Sequence, residues 1–147
     1  MSLRIVPFEE KYLDAICEIE SASFSDPWSK NAFCDFSSSI YAIYLAFDGE
    51  NDLCGYIVAS FISPECEILN IAVSPSFRRR GIADSLLEFL FEEAKRRDCD
   101  TMLLDVRASN TPAISLYEKH GFYKVGVRKG YYTLPKEDAL LMDKPLN

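Results

Sequence analysis

The 147 residues carry 16 Lys and Arg against 23 Asp and Glu, a formal net charge of −7, with 48% hydrophobic and 27% charged side chains. That balance belongs to a folded rather than a disordered chain, and its acidity excludes the basic face that phosphate neutralisation by a nucleic-acid-binding protein requires. The longest charge-free runs, 36–47 and 53–64, are twelve residues each, short of the roughly 18 that a membrane-spanning helix needs.

Residues 3–6 form a short apolar run ended by Pro7, which reads as a first strand. Over 9–21 the apolar positions Tyr12, Leu13, Ile16 and Ile19 recur at helical spacing. The stretch 25–29, with Pro27 inside it, breaks that helix, and Ser29 is placed to cap a second one through Phe36. Aromatic and β-branched residues dominate 41–47 and 53–62, and the polar turn 48–52 between them predicts a hairpin. A further strand over 67–73 ends at Ser74-Pro75.

The period then changes. Ile82, Leu86, Phe89, Leu90 and Ala94 mark one face of a helix whose polar side carries Glu92, Glu93, Lys95, Arg96 and Arg97. Residues 101–106 return to strand. A helix over 111–120 has Asn110 or Thr111 at its cap, Pro112 in its first turn and Gly121 at its end. Strands over 122–127 and 139–142 close the chain. This order predicts a mixed α/β sandwich, one sheet with helices on both faces. No repeat, linker or low-complexity tract divides it, so a single domain over 1–147 is expected.

Cys17, Cys34, Cys54, Cys66 and Cys99 are scattered, odd in number and without a C-x-x-C pair. They read as thiols in or near the core, in a reducing compartment, and with one His in the chain they suggest no metal site. His120 precedes Gly121 at a helix end, where a capping or surface role is expected. No basic, apolar leader opens the chain, so a cytoplasmic location away from membranes is expected.

The most informative stretch is 71–83. A strand ending in Ile71-Ala72-Val73 turns, and Arg78-Arg79-Arg80-Gly81 leads straight into the helix through Ile82, Ala83 and Asp84. Free backbone N–H groups and the positive dipole end make a helix N-terminus a site for an anion, and Gly81 and Ala83 leave the backbone approachable. A solvated basic turn is the alternative, but this cluster opens a helix in an otherwise acidic chain. Neither a G-x-x-x-x-G-K-[ST] nor a G-x-G-x-x-G motif is present.

Arg78-x-x-Gly81-x-Ala83 resembles the [QR]-x-x-G-x-[GA] signature of the GNAT superfamily of acetyltransferases, and the order of elements is similar to theirs. The stretches 24–29, 104–110, 113–122 and 130–132 are similar to the RimI group within it, the bacterial ribosomal-protein-alanine N-acetyltransferases. The resemblance spans nearly the whole chain. It implies a mixed, mostly antiparallel central sheet with helices on both faces, acetyl-CoA as cosubstrate and no metal. It also implies a basic protein or peptide N-terminus, such as a ribosomal protein's, as acceptor. By position, Ile71, Ala72 and Val73 would pair their backbone with the pantetheine arm as an added strand. Arg78, Arg79, Arg80, Gly81, Ile82, Ala83 and Asp84 would cover the pyrophosphate, and Asn110, also a plain helix cap by its own chemistry, would bind from the other side.

Amide formation from a thioester needs a neutral amine, support for an oxyanion and a proton for the departing thiolate. An α-amine titrates near pH ~8, against ~10.4 for lysine, so a modest base suffices. Asp105 lies in an apolar strand, where an unpaired charge is costly; it stands where RimI-like proteins carry a catalytic glutamate, and an ion pair with Arg107 is the alternative. Being one methylene shorter, it favours a bridging water over direct contact. Glu67 is the second candidate base, on the strand where many GNAT enzymes place a water-activating glutamate, or else an exposed carboxylate. Tyr117 matches the RimI-like proton donor, against a reading as core packing. The oxyanion is expected at the Val73 N–H. Trp28, Tyr131 and Tyr132 either pack on the core or wall an acceptor site, where they suit an extended peptide N-terminus. Two other readings remain open: the same fold acting on a small-molecule amine, and a non-catalytic coenzyme-A-binding module.

Overall fold

The computed structural model describes residues 2–35 and 39–147. Phe36, the expected end of the second helix, lies outside them. The elements are β1 (Leu3–Pro7), α1 (Leu13–Ser23), α2 (Lys30–Cys34), β2 (Tyr41–Asp48), β3 (Asp52–Ile62), β4 (Glu65–Val73), α3 (Ile82–Arg96), β5 (Thr101–Arg107), α4 (Thr111–Lys119), β6 (Tyr123–Thr133) and β7 (Lys136–Pro145). The seven strands form one sheet in the order β1-β2-β3-β4-β5-β7-β6, with β4–β5 its parallel pair and the other neighbours antiparallel. The parallel pair is joined, as it must be, by a crossover, here through α3.

Two apolar layers hold the sheet. Leu13 and Ile16 of α1 and Phe33 of α2 pack on Ile43, Leu45, Tyr56 and Val58. On the other face Leu86, Leu87 and Leu90 of α3 and Tyr117 of α4 pack on Ile57, Ile68, Met102, Leu104 and Val106. Ser29 caps α2, its Oγ accepting from Ala32 N–H at 3.1 Å, a bond worth about 1 kcal/mol.

Two features of β4 open the sheet. Its register against β3 jumps between Val58 and Ala59, which face Asn70 and Ile68, so Leu69 is an extra residue, a bulge. The bulge reverses the alternation of faces: Ile68 belongs to the α3 layer, whereas Ala72, four residues on, belongs to the α1 layer. Pairing with β5 also ends there, since among the described residues 65–68 align with 101–104 and nothing beyond does. From that point β4 and β5 part.

Three expectations need correction. The closing hairpin is longer than 122–127 and 139–142 suggest, because β6 is an edge strand with register breaks at 124–126 and 128–132 and a left-handed Gly130 (φ +62°). Such breaks erase the two-residue period. Helix α1 starts later than residue 9, after a 3-10 turn over Glu10–Tyr12. Cys34 is exposed, since Phe33 takes the inward position of the short α2, while Cys54, Cys66 and Cys99 are buried as expected.

Candidate active site

A cavity of about 460 Å³ runs through the gap where β4 and β5 part. Ile71, Val73, Ala83, Asn110, Leu116 and Tyr117 line it on the α3–α4 side, and Phe24, Pro27, Trp28, Asp105 and Tyr132 on the other. Alternation explains the division. Met102, Leu104 and Val106 of β5 face α3, so Leu103, Asp105 and Arg107 face away.

Ser74 N–H donates to Cys54 C=O on β3 at 2.7 Å. By alternation the N–H of Val73, one residue earlier, turns to the opposite edge, into the gap. The strand edge at 71 and 73 thus turns backbone groups into the gap that no neighbouring strand pairs among the described residues, the Val73 C=O being met by Arg78 Nε instead, and it borders the cavity.

The turn into α3 presents backbone and little else. Arg79 (φ +65°) and Gly81 (φ +76°) are both left-handed, and Gly81 is the N-cap of α3 without any side-chain cap bond. Open space surrounds the position where a Cβ on Gly81 would stand. Arg78, Arg79 and Arg80 are exposed. Arg78 Nε reaches Val73 C=O at 3.3 Å and Arg80 lies over the Phe77 ring, so the guanidiniums also brace the turn. Ile82 is core, 1% exposed, so only its N–H is offered to a ligand. Asp84 Oδ1 accepts from Lys119 Nζ and bonds His120 Nε2, each at 2.7 Å. The Lys119 bond foremost, then His120, holds its carboxyl below the ordinary range. His120 is the C-cap residue of α4, its ring held against Asp84 rather than lying on the surface. Asn110 caps α4, its Oδ1 accepting from Ala113 N–H at 3.2 Å, and its Nδ2 donors have no partner among the described residues.

Tyr117 is 6% exposed and packs edge-on against Phe122. Burial foremost, then Tyr132, pushes its hydroxyl above the ordinary phenol range. Among the described residues nothing bonds that hydroxyl, and none is a fully buried orphan, so it is left to the cavity. Asp105 stands across the sheet from it. The ion pair with Arg107 is not formed: Arg107 turns to Glu137 (3.4 Å), donates to Leu134 C=O and Pro135 C=O at 2.9 Å, and stacks on Tyr132. Glu67 sits level with Leu103, on the same face as Asp105. Burial first and the Asp105 charge second raise its pKa, against Arg128. Glu67 does not line the cavity itself. Tyr132 is pushed up to about 12 by burial and then by Asp105, whereas Tyr131 is half exposed and leans on Tyr132 outside the cavity.

Sequence reasoning missed Glu20 and Asn70, both in the cavity wall. Glu20 carried a signal, since positions 13, 16 and 20 share one face of α1 and the first two are core. Asn70 carried none, because its side depends on the bulge.

The acetyltransferase (GNAT) family matches residues 10–122. The [Ribosomal protein bS18]-alanine N-acetyltransferase of Salmonella typhimurium is 35% identical over 137 residues, 92% of this chain and 92% of that protein. The crystal structure of the ribosomal-protein-S18-alanine N-acetyltransferase from Escherichia coli superposes with a TM-score of 0.92 at 32% identity, over 99% of this chain and 95% of that one. A chain of the NatC complex bound to Gag peptide and CoA superposes at 0.87 with 26% identity over 100% of both.

Proposed function

The chain belongs to the acetyltransferase (GNAT) family and is an acyltransferase, and from that premise we propose that it moves acetyl from acetyl-CoA to the α-amine of an N-terminal alanine on a ribosomal protein. The observation that carries this reading is the gap between β4 and β5, with Tyr117 on one face and Asp105 on the other. A thioester laid through that gap meets a proton donor behind it and an amine in front.

The strand edge at Ile71 and Val73 suits the pantetheine amides, which complete the strand. The amides of Ile82, Ala83 and Asp84, the left-handed turn and the three arginines suit the pyrophosphate. Lys119 pairs with the Asp84 carboxylate in the first turn of α3, and His120 bonds the same oxygen. The Nδ2 of Asn110 supplies a donor from the far side. No metal enters the reading.

The reaction is direct attack in a ternary complex. The amine nitrogen bonds the acetyl carbon while the Val73 N–H supports the oxyanion. The amine's proton leaves through a water to Asp105, and Glu67 beside it is the second candidate. The C–S bond then breaks, and the thiolate takes its proton from Tyr117. Burial keeps that phenol protonated throughout the working range, as a donor must be. Trp28, Tyr132 and Phe24 form apolar walls for an extended N-terminus, with Tyr131 flanking Tyr132. Among the described residues no helix is long and apolar enough to cross a membrane, and ribosomal proteins place the reaction in the cytoplasm.

The test is incubation with acetyl-CoA and a panel of alanine-starting peptides, other N-termini and polyamines, read by thiol release. Turnover confined to alanine-starting peptides is the expected result. Turnover of polyamines alone moves the acceptor to small molecules, and acetyl-CoA binding without turnover of anything leaves a binding module.

A further inference from the structure

One buried carboxylate in the cavity wall has no part in the chemistry above. Glu20, near the end of α1, is 1% exposed. Its Oε1 accepts from the Tyr56 hydroxyl on β3 at 2.5 Å and from Asn70 Nδ2 on β4 at 2.7 Å. Its Oε2 accepts from the Trp28 backbone N–H at 2.9 Å. A carboxylate out of water is sustained only when its lone pairs are met, and here donors from three separate elements meet it. Two of these border the acceptor side of the gap, β4 through Asn70 and the loop through Trp28, while Tyr56 of β3 lies in the core behind them. Asn70 comes just after the Leu69 bulge, which turns it toward α1. Trp28 ends the 24–28 loop, which forms the wall facing Tyr132.

We infer that Glu20 is a positioning residue for the acceptor: through Oε2 it holds the 24–28 loop against the bulged β4, keeping the wall for the incoming N-terminus formed before it arrives. This rests on the reading of that side of the cavity as the acceptor site. The chemistry of the anchor is specific. The Trp28 backbone N–H can only donate, so it needs an acceptor at position 20, whereas the Tyr56 hydroxyl also accepts and the Asn70 amide can turn. Glutamine therefore still meets it, with its oxygen on Trp28 N–H and its NH2 on the Tyr56 hydroxyl, but methionine, of similar length and without an acceptor, removes the bond between the loop and α1.

The Glu20→Met variant is therefore expected to raise KM for an alanine-starting peptide by roughly 10- to 100-fold, the worth of one charge-assisted bond. Turnover at saturating peptide should stay within about threefold, and acetyl-CoA affinity should not change. Trp28 is the chain's one tryptophan, so its emission reads the loop directly: it should shift to the red in Glu20→Met and return when peptide saturates. Tyr56→Phe, which removes a donor from Oε1 but leaves the Trp28 bond, should lower Tm without moving peptide KM. An unmoved peptide KM in Glu20→Met overturns the proposal, as does an equal rise for acetyl-CoA or an equal rise in Tyr56→Phe. If Glu20→Met does not fold, hydrogen exchange in the wild-type protein decides. The Trp28 amide should be protected relative to those of Ser25 and Asp26, and further protected by peptide; an unprotected Trp28 amide overturns the tether. Wild-type protein that acetylates no N-terminal peptide overturns the acceptor reading itself, whereas wild-type turnover with Glu20→Met unaffected overturns this proposal alone.

Discussion

Replacing Tyr117 by Phe separates the two roles that a buried tyrosine can have. The ring stays against Phe122, 5.6 Å between centroids. Its hydroxyl has no bond to lose among the described residues, so folding free energy should change by no more than about 0.5 kcal/mol. Turnover is another matter. A coenzyme thiol titrates near ~8.5, and a phenol, ordinarily near ~10, is here raised further by burial. The proton transfer is uphill unless it accompanies C–S cleavage within one pre-aligned hydrogen bond. Losing that bond should lower kcat by roughly 10²- to 10⁴-fold, or about 2.7 to 5.4 kcal/mol at 1.36 kcal/mol per tenfold. Thiol release at saturating peptide measures the loss, while calorimetry with acetyl-CoA should find its affinity unchanged. Because the raised pKa keeps the acid form intact, wild-type activity should show no alkaline limb from Tyr117 below about pH 10. Wild-type turnover in Tyr117→Phe would refute the donor role and return the residue to core packing.

Asp105→Asn should lower kcat and remove the acidic limb of the pH–rate profile, and Asp105→Glu should retain or raise activity by restoring reach; an unchanged acidic limb in Asp105→Asn, measured with one alanine-starting peptide, excludes the assignment. A larger loss in Glu67→Gln than in Asp105→Asn transfers the base to β4, with an acidic limb above the usual carboxylate range because burial raises Glu67. Gly81→Asp should abolish acetyl-CoA binding by calorimetry yet stay folded, since its Cβ meets open space and a left-handed φ costs an L-residue about 1–2 kcal/mol. Asp84 has a depressed carboxyl pKa, so its stabilisation is complete above the unfolded value of about 3.9 and fades as pH falls through the folded one. Asp84→Asn should accordingly flatten the acid side of a Tm-against-pH curve, and a curve identical to wild type would show that the Lys119 and His120 bonds add nothing.

The elements were legible wherever one face is buried and the other wet. The α3 stripe through Ile82, Leu86 and Leu90 is such a case and lands where the pattern put it, and the strand expected over 101–106 forms with Met102, Leu104 and Val106 inward. Legibility failed where a residue was added to a strand. The bulge at Leu69 has no marker in its own side chain, yet it sends Asn70 and Ala72 to the opposite face from Ile68 and so decides which residues meet Glu20. The turn of Arg78 to Ala83 was readable as bare backbone opening a helix, because glycine announces the left-handed geometry that Gly81 takes at the N-cap of α3. On the acceptor side the question was pairwise: whether Arg107 chooses Asp105 or Glu137 depends on how the β6–β7 hairpin folds back. That hairpin, broken twice in register, was the least readable part of the chain.

The parting of β4 from β5 also divides the molecule's resistance to opening. Strands β1 to β4 lie on one side of it and β5, β7 and β6 on the other, and among the described residues only 65–68 and 101–104 ladder the two half-sheets together. Local opening takes the path with the fewest bonds to break, and here that path runs through the cavity. A molecule that hydrogen-bonds across the gap supplies the missing rungs and ties the two half-sheets into one cooperative unit. By linkage, a ligand at 100 times its Kd adds about 2.7 kcal/mol to the folded state. That gain should show as slowed amide exchange along 69–73 first of all. On the proposed reading, catalysis and cohesion share one seam: the sheet is left unfinished where a substrate would complete it.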